Sequence, residues 1–166
     1  MVEKGRLKVQ VEFEGAKASF EGDADEVFKA FTRFLTNIYP NLEIVRRLTF
    51  TPDLSSLLEE LVGFVELAPE GPILNPEVQM SARDKICLAL LGADVGSKIG
   101  KLSKGTLSSR DLSRITGRAR KTIMNEMPKL VARGFVERTS EGEYLITNLG
   151  IKHTKDVLRK YREFGG

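Results

Sequence analysis

Two glycines, Gly117 and Gly134, mark where the helices of the C-terminal part of the chain end. Ser108 and Asp111 have the spacing of a capping box, which predicts a helix that begins there and ends at Gly117. The next helix is predicted over residues 118–133, because glycine suits the position that follows a helix. A capped helix, a glycine turn and a second helix leave this stretch few alternative folds.

Further elements are predicted on both sides of this helix pair. After it, residues 135–138 and 143–147 have the composition of two short strands, and the turn between them makes a hairpin. Before it, Ser81 predicts the start of another helix. Residues 150–164 form a last amphipathic helix. Its apolar face holds Ile151, Leu158, Tyr161 and Phe164.

Three helices followed by a two-stranded hairpin resemble the winged helix-turn-helix family, as in MarR-like and ArsR-like regulators. The resemblance is carried by Leu107–Gly117, Lys121–Ile123 and Leu130–Arg138. It covers roughly half of the chain, and the whole chain resembles archaeal proteins of this kind. It implies an α+β protein in which a small N-terminal domain, a β-hairpin plus helices, precedes a C-terminal winged helix-turn-helix domain.

The resemblance also implies a function. The expected activity is binding of double-stranded DNA, as a transcription regulator or chromatin-associated factor with the third helix in the major groove. Winged helices also dock other macromolecules, so a protein-interaction adaptor is the alternative. In that case the domain binds protein or RNA in a replication, transcription or translation assembly.

Helical geometry gives the third helix one apolar and one polar face. With Ile123 at the centre of the apolar face, the opposite face is basic and carries one amide, Asn125. Arg and Lys pair with guanine and Asn with adenine, whereas Arg110 and Arg114 on the preceding helix suit phosphates. The candidate DNA-binding residues are Lys101, Lys104, Arg110, Arg114, Arg118, Arg120, Lys121, Thr122, Asn125 and Lys129.

Two features depart from the family pattern. Pro128 removes a backbone donor inside the third helix, so we expect that helix to kink or to be straight only in its first two turns. The tip of the hairpin carries Glu141 and Glu143, with Arg138 as its one cation. Phosphate repels an acidic tip, and DNA contacts through the hairpin are therefore not expected.

Charge is distributed unequally along the chain. Residues 1–80 contain 8 basic and 14 acidic side chains, whereas residues 81–166 contain 18 and 9. A basic half favours a polyanion as partner, because each neutralised phosphate releases counterions. The acidic half is expected to face away from DNA or to bind a protein partner.

The N-terminal half is predicted to be a small α+β domain over residues 1–67. Alternation from Leu7 to Phe13 predicts a strand, and residues 16–20 a second one paired with it. Asp23 and Glu26 predict a capped helix that Pro40 stops. The domain's role is left open between sensing a ligand, dimerising and docking a partner.

The segment that follows is less regular. Residues 42–50 fit either a helix or a strand, and Asp53 caps a helix whose apolar side extends to Val65. Residues 68–80 contain three prolines and are predicted to be a linker. The winged helix domain is then expected over residues 81–166.

Three glycines recur every four residues, at Gly92, Gly96 and Gly100. If the helix begun at Ser81 continues that far, they form a stripe against which another backbone packs closely. If it ends near Asp94, a glycine loop follows. The stripe, the apolar last helix and the two-fold symmetry of helix-turn-helix sites predict a homodimer.

Other classes of protein are not expected. The chain has no phosphate-binding glycine loop, GxSxG or HExxH pattern, so no enzymatic activity and no cofactor are predicted. One cysteine and one histidine predict no metal site; Cys87 is expected to be a buried hydrophobe and His153 a surface residue. The lack of a long apolar run predicts a cytoplasmic or nucleoid-associated protein. High charge and the absence of Trp are typical of a thermophile.

Overall fold

The structure, a computed structural model, describes residues 5–38 and 53–164. The chain divides into two compact units, Met1–Thr51 and Pro52–Gly166. The described residues form a mixed α+β protein with six helices and three two-stranded antiparallel sheets. None of these helices combines the length and apolar character needed to cross a membrane. The predicted helix stop at Pro40 and the ambiguous segment 42–50 lie outside the described residues.

The first unit contains a hairpin and one helix, as predicted. Strands β1 (Leu7–Phe13) and β2 (Ala16–Gly22) pair antiparallel. Helix α1 (Ala24–Ile38) begins with the predicted capping box, in which the Glu26 amide donates to Asp23 Oδ1 at 2.9 Å. The Phe20 ring of β2 packs edge-on against two aromatic rings of α1, those of Phe31 and Phe34.

The second unit contains the other five helices and two hairpins. Helix α2 spans Leu54–Leu61, strand β3 Val65–Ala68, β4 Gly71–Leu74, α3 Ala82–Lys98, α4 Ser109–Thr116, α5 Arg120–Ala132, β5 Val136–Arg138, β6 Tyr144–Ile146 and α6 Asn148–Phe164. Helix α3 is the centre of the core, since nearly every side chain from Ile86 to Ala93 is buried. Cys87 is among them, as predicted, and burial raises the pKa of its thiol to about 12.

The structure differs from the prediction between residues 62 and 80. Helix α2 ends at Leu61 because Val62 leaves the helical conformation, so Val65 begins a strand instead of continuing the helix. The expected linker contains β4, which pairs with β3. Its Pro72 is buried so close to α3 that a Cβ on Gly92 would lie 2.9 Å from the Pro72 Cβ. The prolines therefore belong to a packed hairpin within the second unit.

The glycine stripe is used inside this unit. Helix α3 includes Gly92 and Gly96, whereas Gly100 lies beyond its end with a φ of 75°. The β3–β4 hairpin approaches Gly92, and the side chain of Leu102 approaches Gly96, where an added Cβ would meet its Cδ1 at 2.7 Å. The close approach that the spacing predicted thus occurs within one chain.

Helix α6 also uses its apolar side within the unit. Ile151 and Leu158 are buried, and the Tyr161 ring packs edge-on against Phe64 with 5.8 Å between centroids. Arg162 donates to three carbonyl groups at the end of α2. Among the predicted apolar residues of this helix, only Phe164 remains largely exposed, at 84%.

Candidate nucleic-acid interface

Helices α4 and α5 are joined by a tight, well-bonded turn. The predicted capping box begins α4: the Asp111 amide donates to Ser108 Oγ at 3.1 Å, and the Ser108 amide donates to Asp111 Oδ2. The Ser108 hydroxyl, which also donates to this carboxylate, holds the pKa of Asp111 below its usual value. Gly117 ends the helix with a φ of 66°, a conformation that glycine adopts without strain. The Ser113 hydroxyl then donates to the Arg118 carbonyl at 2.7 Å and fixes the entry into α5.

Helix α5 has the two faces that the sequence predicts. Ile123, Met127 and Leu130 are buried against the core. On the opposite side, Lys121 and Asn125 are exposed, and within the described part of the chain neither side chain has a hydrogen bond or ion pair. This open polar face is the central part of the candidate interface.

The N-terminus of α5 is open as well. Ala119 is the N-cap residue, is exposed, and provides no side-chain hydrogen bond to the helix. The amides of the first turn are therefore left for water or for an external acceptor, and the helix dipole favours an anion there. Arg120 lies in this turn, is exposed and has no partner among the described residues.

Two arginines of the α4–α5 region are anchored by backbone carbonyl groups. Arg114 Nη2 donates to the Glu70 carbonyl at 3.4 Å and lies 3.8 Å from Asp111 Oδ1. Arg118 Nη2 donates to the Met80 carbonyl at 3.2 Å. Each guanidinium group has further N–H donors for an external ligand.

The other predicted residues contribute less to this face. Lys129 donates to Glu126 at 3.0 Å, and Thr122 is half-buried. Lys101 lies in the loop after α3 and is not part of α4 or α5. Lys104 donates a hydrogen bond to Glu143, which lies in the β5–β6 hairpin. The open set is therefore Arg110, Arg114, Arg118, Arg120, Lys121 and Asn125.

The tip of the β5–β6 hairpin is less acidic towards solvent than the sequence suggests. Glu143 accepts hydrogen bonds from Lys104 and from the Thr106 hydroxyl. The bond to Lys104 lowers the pKa of Glu143 and raises the pKa of Lys104. Glu141 stays exposed, so the tip still presents one carboxylate.

Pro128 does not interrupt α5, which continues without a break to Ala132. The residues that face the candidate interface all precede it.

Sequence reasoning missed one cation near this site. Lys85 of α3 lines a cleft beside the α4–α5 turn, and Arg114 and Arg118 line the same cleft. In the sequence it contributes only to the positive charge of residues 81–166, because its neighbours in space are about thirty residues away along the chain. No local pattern signals such a tertiary proximity.

No protein-family model, curated protein or solved structure matches this chain. The geometry and charge of the candidate interface are therefore the grounds on which a function is proposed below.

Proposed function

We propose that the unit Pro52–Gly166 binds double-stranded DNA with α5 in the major groove, in the manner of a winged helix-turn-helix domain. The observation that carries the proposal is the first two turns of α5. They present Arg120, Lys121 and Asn125 to solvent without intramolecular partners in the described ranges. Arg114 and Arg118, which backbone carbonyl groups anchor, come just before them in the chain.

The position of the β5–β6 hairpin supports this proposal. Leu107, the residue before the α4 cap, pairs with Tyr144 of β6: the Leu107 amide donates to the Tyr144 carbonyl at 3.0 Å, and the reverse bond is 2.9 Å. The hairpin is therefore held beside the start of α4. In a winged helix-turn-helix domain the same order of elements occurs, because the hairpin called the wing follows the helix-turn-helix.

The chemistry of the open residues fits a division of roles on DNA. Lys121 and Asn125 are four residues apart, so they stack on one side of α5. A lysine suits guanine and an asparagine suits adenine in the major groove. Arg110, exposed on α4, suits a phosphate. A transcription regulator or chromatin-associated factor uses this combination.

The test is a salt titration of the full chain on a labelled DNA duplex, followed by fluorescence anisotropy. With about 4–6 phosphate contacts, the log–log slope of affinity against salt should be about −4 to −5. The double variant Arg120→Ala/Lys121→Ala should weaken binding by about tenfold or more.

A matched control removes the same charge elsewhere. Lys152 and Lys160 are exposed on α6 and have no partners among the described residues. Lys152→Ala/Lys160→Ala should change the affinity by less than about twofold. A flat salt response, or equal losses in the two double variants, would contradict the proposal and favour the adaptor function.

A further inference from the structure

A basic cleft of about 380 Å³ lies beside the α4–α5 turn. Its walls are Lys85 of α3, residues 114–118, the last residue of β4, and three residues that follow β4: Leu74, Asn75, Pro76 and Gln79. Lys85, Arg114 and Arg118 supply three positive charges. The other described residues that line the cleft are neutral, so no carboxylate side chain is part of this lining.

The two arginines of this cleft are held in place by backbone carbonyl groups, which do not neutralise their charge. Arg114 and Arg118 each use one nitrogen for a backbone carbonyl, at Glu70 and Met80. A carbonyl fixes the guanidinium group but leaves its full charge and its other donors. Asp111, 3.8 Å from Arg114, is itself bonded to the α4 cap.

Lys85 is the least compensated of the three. It is half-buried, and within the part of the chain that the structure describes its ammonium group has no hydrogen bond or ion pair. The neighbouring carboxylate on α3, Asp84, accepts from the Ser81 hydroxyl at 2.7 Å and lies 3.5 Å from His153 Nε2. A concave surface with one sign of charge concentrates anions.

We infer that this cleft is a binding site for a phosphate group. A phosphate monoester carries about two negative charges and three acceptor oxygens. It therefore suits a cleft lined by three cations better than a carboxylate, which has one charge and two oxygens. The volume falls in the range of small-molecule sites, so the cleft has space for a phosphorylated small molecule as well as for a DNA backbone phosphate. The inference rests on the cleft itself and does not require that the protein bind DNA.

The site has a consequence for regulation. Arg114 and Arg118 belong both to the cleft and to the open set of the candidate DNA interface. A free phosphorylated ligand that neutralises them would compete with duplex DNA. If the phosphate comes from DNA, Lys85 instead extends the DNA contact surface.

The first experiment uses inorganic pyrophosphate, without DNA, titrated into the full ¹⁵N-labelled chain and followed by NMR. We expect saturable shifts of the amides of Lys85, Gly117 and Arg118. Lys85→Ala should weaken the affinity by about tenfold or more, the effect of one charged hydrogen bond, and Lys85→Arg should restore most of it. Lys85→Gln, which keeps the length of the side chain, replaces the alanine variant if that variant does not fold.

Lys160→Ala is the matched control, because Lys160 is exposed, has no partner among the described residues and does not line the cleft. It should leave pyrophosphate binding unchanged. If binding is not saturated at about 10 mM pyrophosphate, the attraction is non-specific and the site is overturned. Equal weakening by Lys85→Ala and Lys160→Ala would also overturn it.

A second arm identifies the source of the phosphate. For a DNA phosphate, Lys85→Ala lowers the salt slope of duplex binding by about one. For a free ligand, Lys85→Ala leaves duplex binding unchanged but removes its inhibition by pyrophosphate. Both results support the phosphate site. If no duplex binds at all, the proposed function fails, and the pyrophosphate titration still decides the cleft.

Discussion

At the scale of single residues, Asn125 and Arg110 distinguish recognition of the DNA base sequence from binding to DNA phosphates. Both side chains are exposed and have no partners within the described ranges. Asn125→Ala should cost about 1–3 kcal/mol on the preferred duplex and much less on random DNA, because an amide reads base edges. Arg110→Ala should weaken both duplexes alike and lower the salt slope by about one. Competition binding on a selected and a scrambled duplex measures both effects.

Arg110 is a better phosphate probe than Arg114, because Arg114 also donates to the Glu70 carbonyl and its removal would break that intramolecular bond. If Asn125→Ala weakens both duplexes equally, α5 does not read sequence and the protein coats DNA without specificity. If neither substitution has an effect, the basic face serves another partner.

Single residues also show how far the site is predictable from sequence. The exposure of Lys121 and Asn125 follows from the helical period, because the apolar residues fix which side of α5 faces the core. The hydrogen bond between Lys104 and Glu143 does not follow from the helical period, because these residues are 39 positions apart and come together only in the folded chain. Periodicity assigns a face, but the partner of a charged side chain is a tertiary property.

At the scale of elements, local chemistry predicts where helices begin and end. Ser81, Ser108 and Gly117 act as predicted because a cap or a left-handed glycine needs only its immediate neighbours. The sequence does not reveal the β3–β4 hairpin, because its strands are only four residues long and prolines occupy its turn and its second strand, at Pro69 and Pro72. Its stability comes from packing on α3 at Gly92, which no local pattern shows.

Gly150 is the element-scale test of such packing. It lies near the start of α6, where alanine normally favours a helix by about 0.5–1 kcal/mol. A Cβ there would lie 2.1 Å from the Phe135 carbonyl oxygen, so the backbone must move. We expect Gly150→Ala to lower the free energy of unfolding by about 1–3 kcal/mol or more in urea denaturation.

Lys152→Ala, at an exposed position of the same helix, is the control and should stay within about 0.5 kcal/mol of the unmodified chain. If Gly150→Ala is as stable as this control, helix α6 does not depend on the close approach to Phe135.

At the scale of the whole molecule, the division into units changes the meaning of the charge pattern. Residues 1–51 contain eight basic and eight acidic side chains, so the first unit has no formal net charge. The acidic excess lies in residues 52–80, which have six acidic and no basic side chains and belong to the second unit. Glu60 there is bonded to Arg159 and Arg162 of α6. The reason for expecting a protein partner of an acidic N-terminal domain is thereby weakened.

The homodimer remains a prediction, but two of the three reasons for expecting it no longer apply. The glycine stripe packs against Pro72 and Leu102, and the apolar side of α6 packs on α2 and α3 of the same unit. Apart from Phe164, which is exposed, the apolar residues predicted on α6 are therefore used within the unit. What still favours a dimer is the two-fold symmetry of DNA sites for helix-turn-helix proteins.

The boundary between the units gives the last prediction, which compares two fragments of the chain. Among the described residues, the buried side chains of the hydrophobic core around α3 lie between Leu57 and Leu158. Residues 52–166 should therefore fold alone, with a cooperative thermal transition in circular dichroism. They should bind duplex DNA within about threefold of the full chain, because the first unit has no formal net charge and so adds no net attraction or repulsion of phosphate.

Residues 81–166, the domain that the sequence alone delimits, should not fold in this way. This fragment lacks α2 and the β3–β4 hairpin, and with them five core side chains: Leu57, Leu61, Phe64, Val78 and Met80. At about 1.5–3 kcal/mol for each buried apolar side chain, the loss is about 7–15 kcal/mol as an upper bound, similar to the whole stability of a typical domain. This fragment would also lack Pro72, which covers Gly92, so the buried backbone of α3 would be exposed to water there. If residues 81–166 melt cooperatively at the same temperature as residues 52–166, the hairpin and α2 are accessory, and the boundary at residues 68–80 is the correct one.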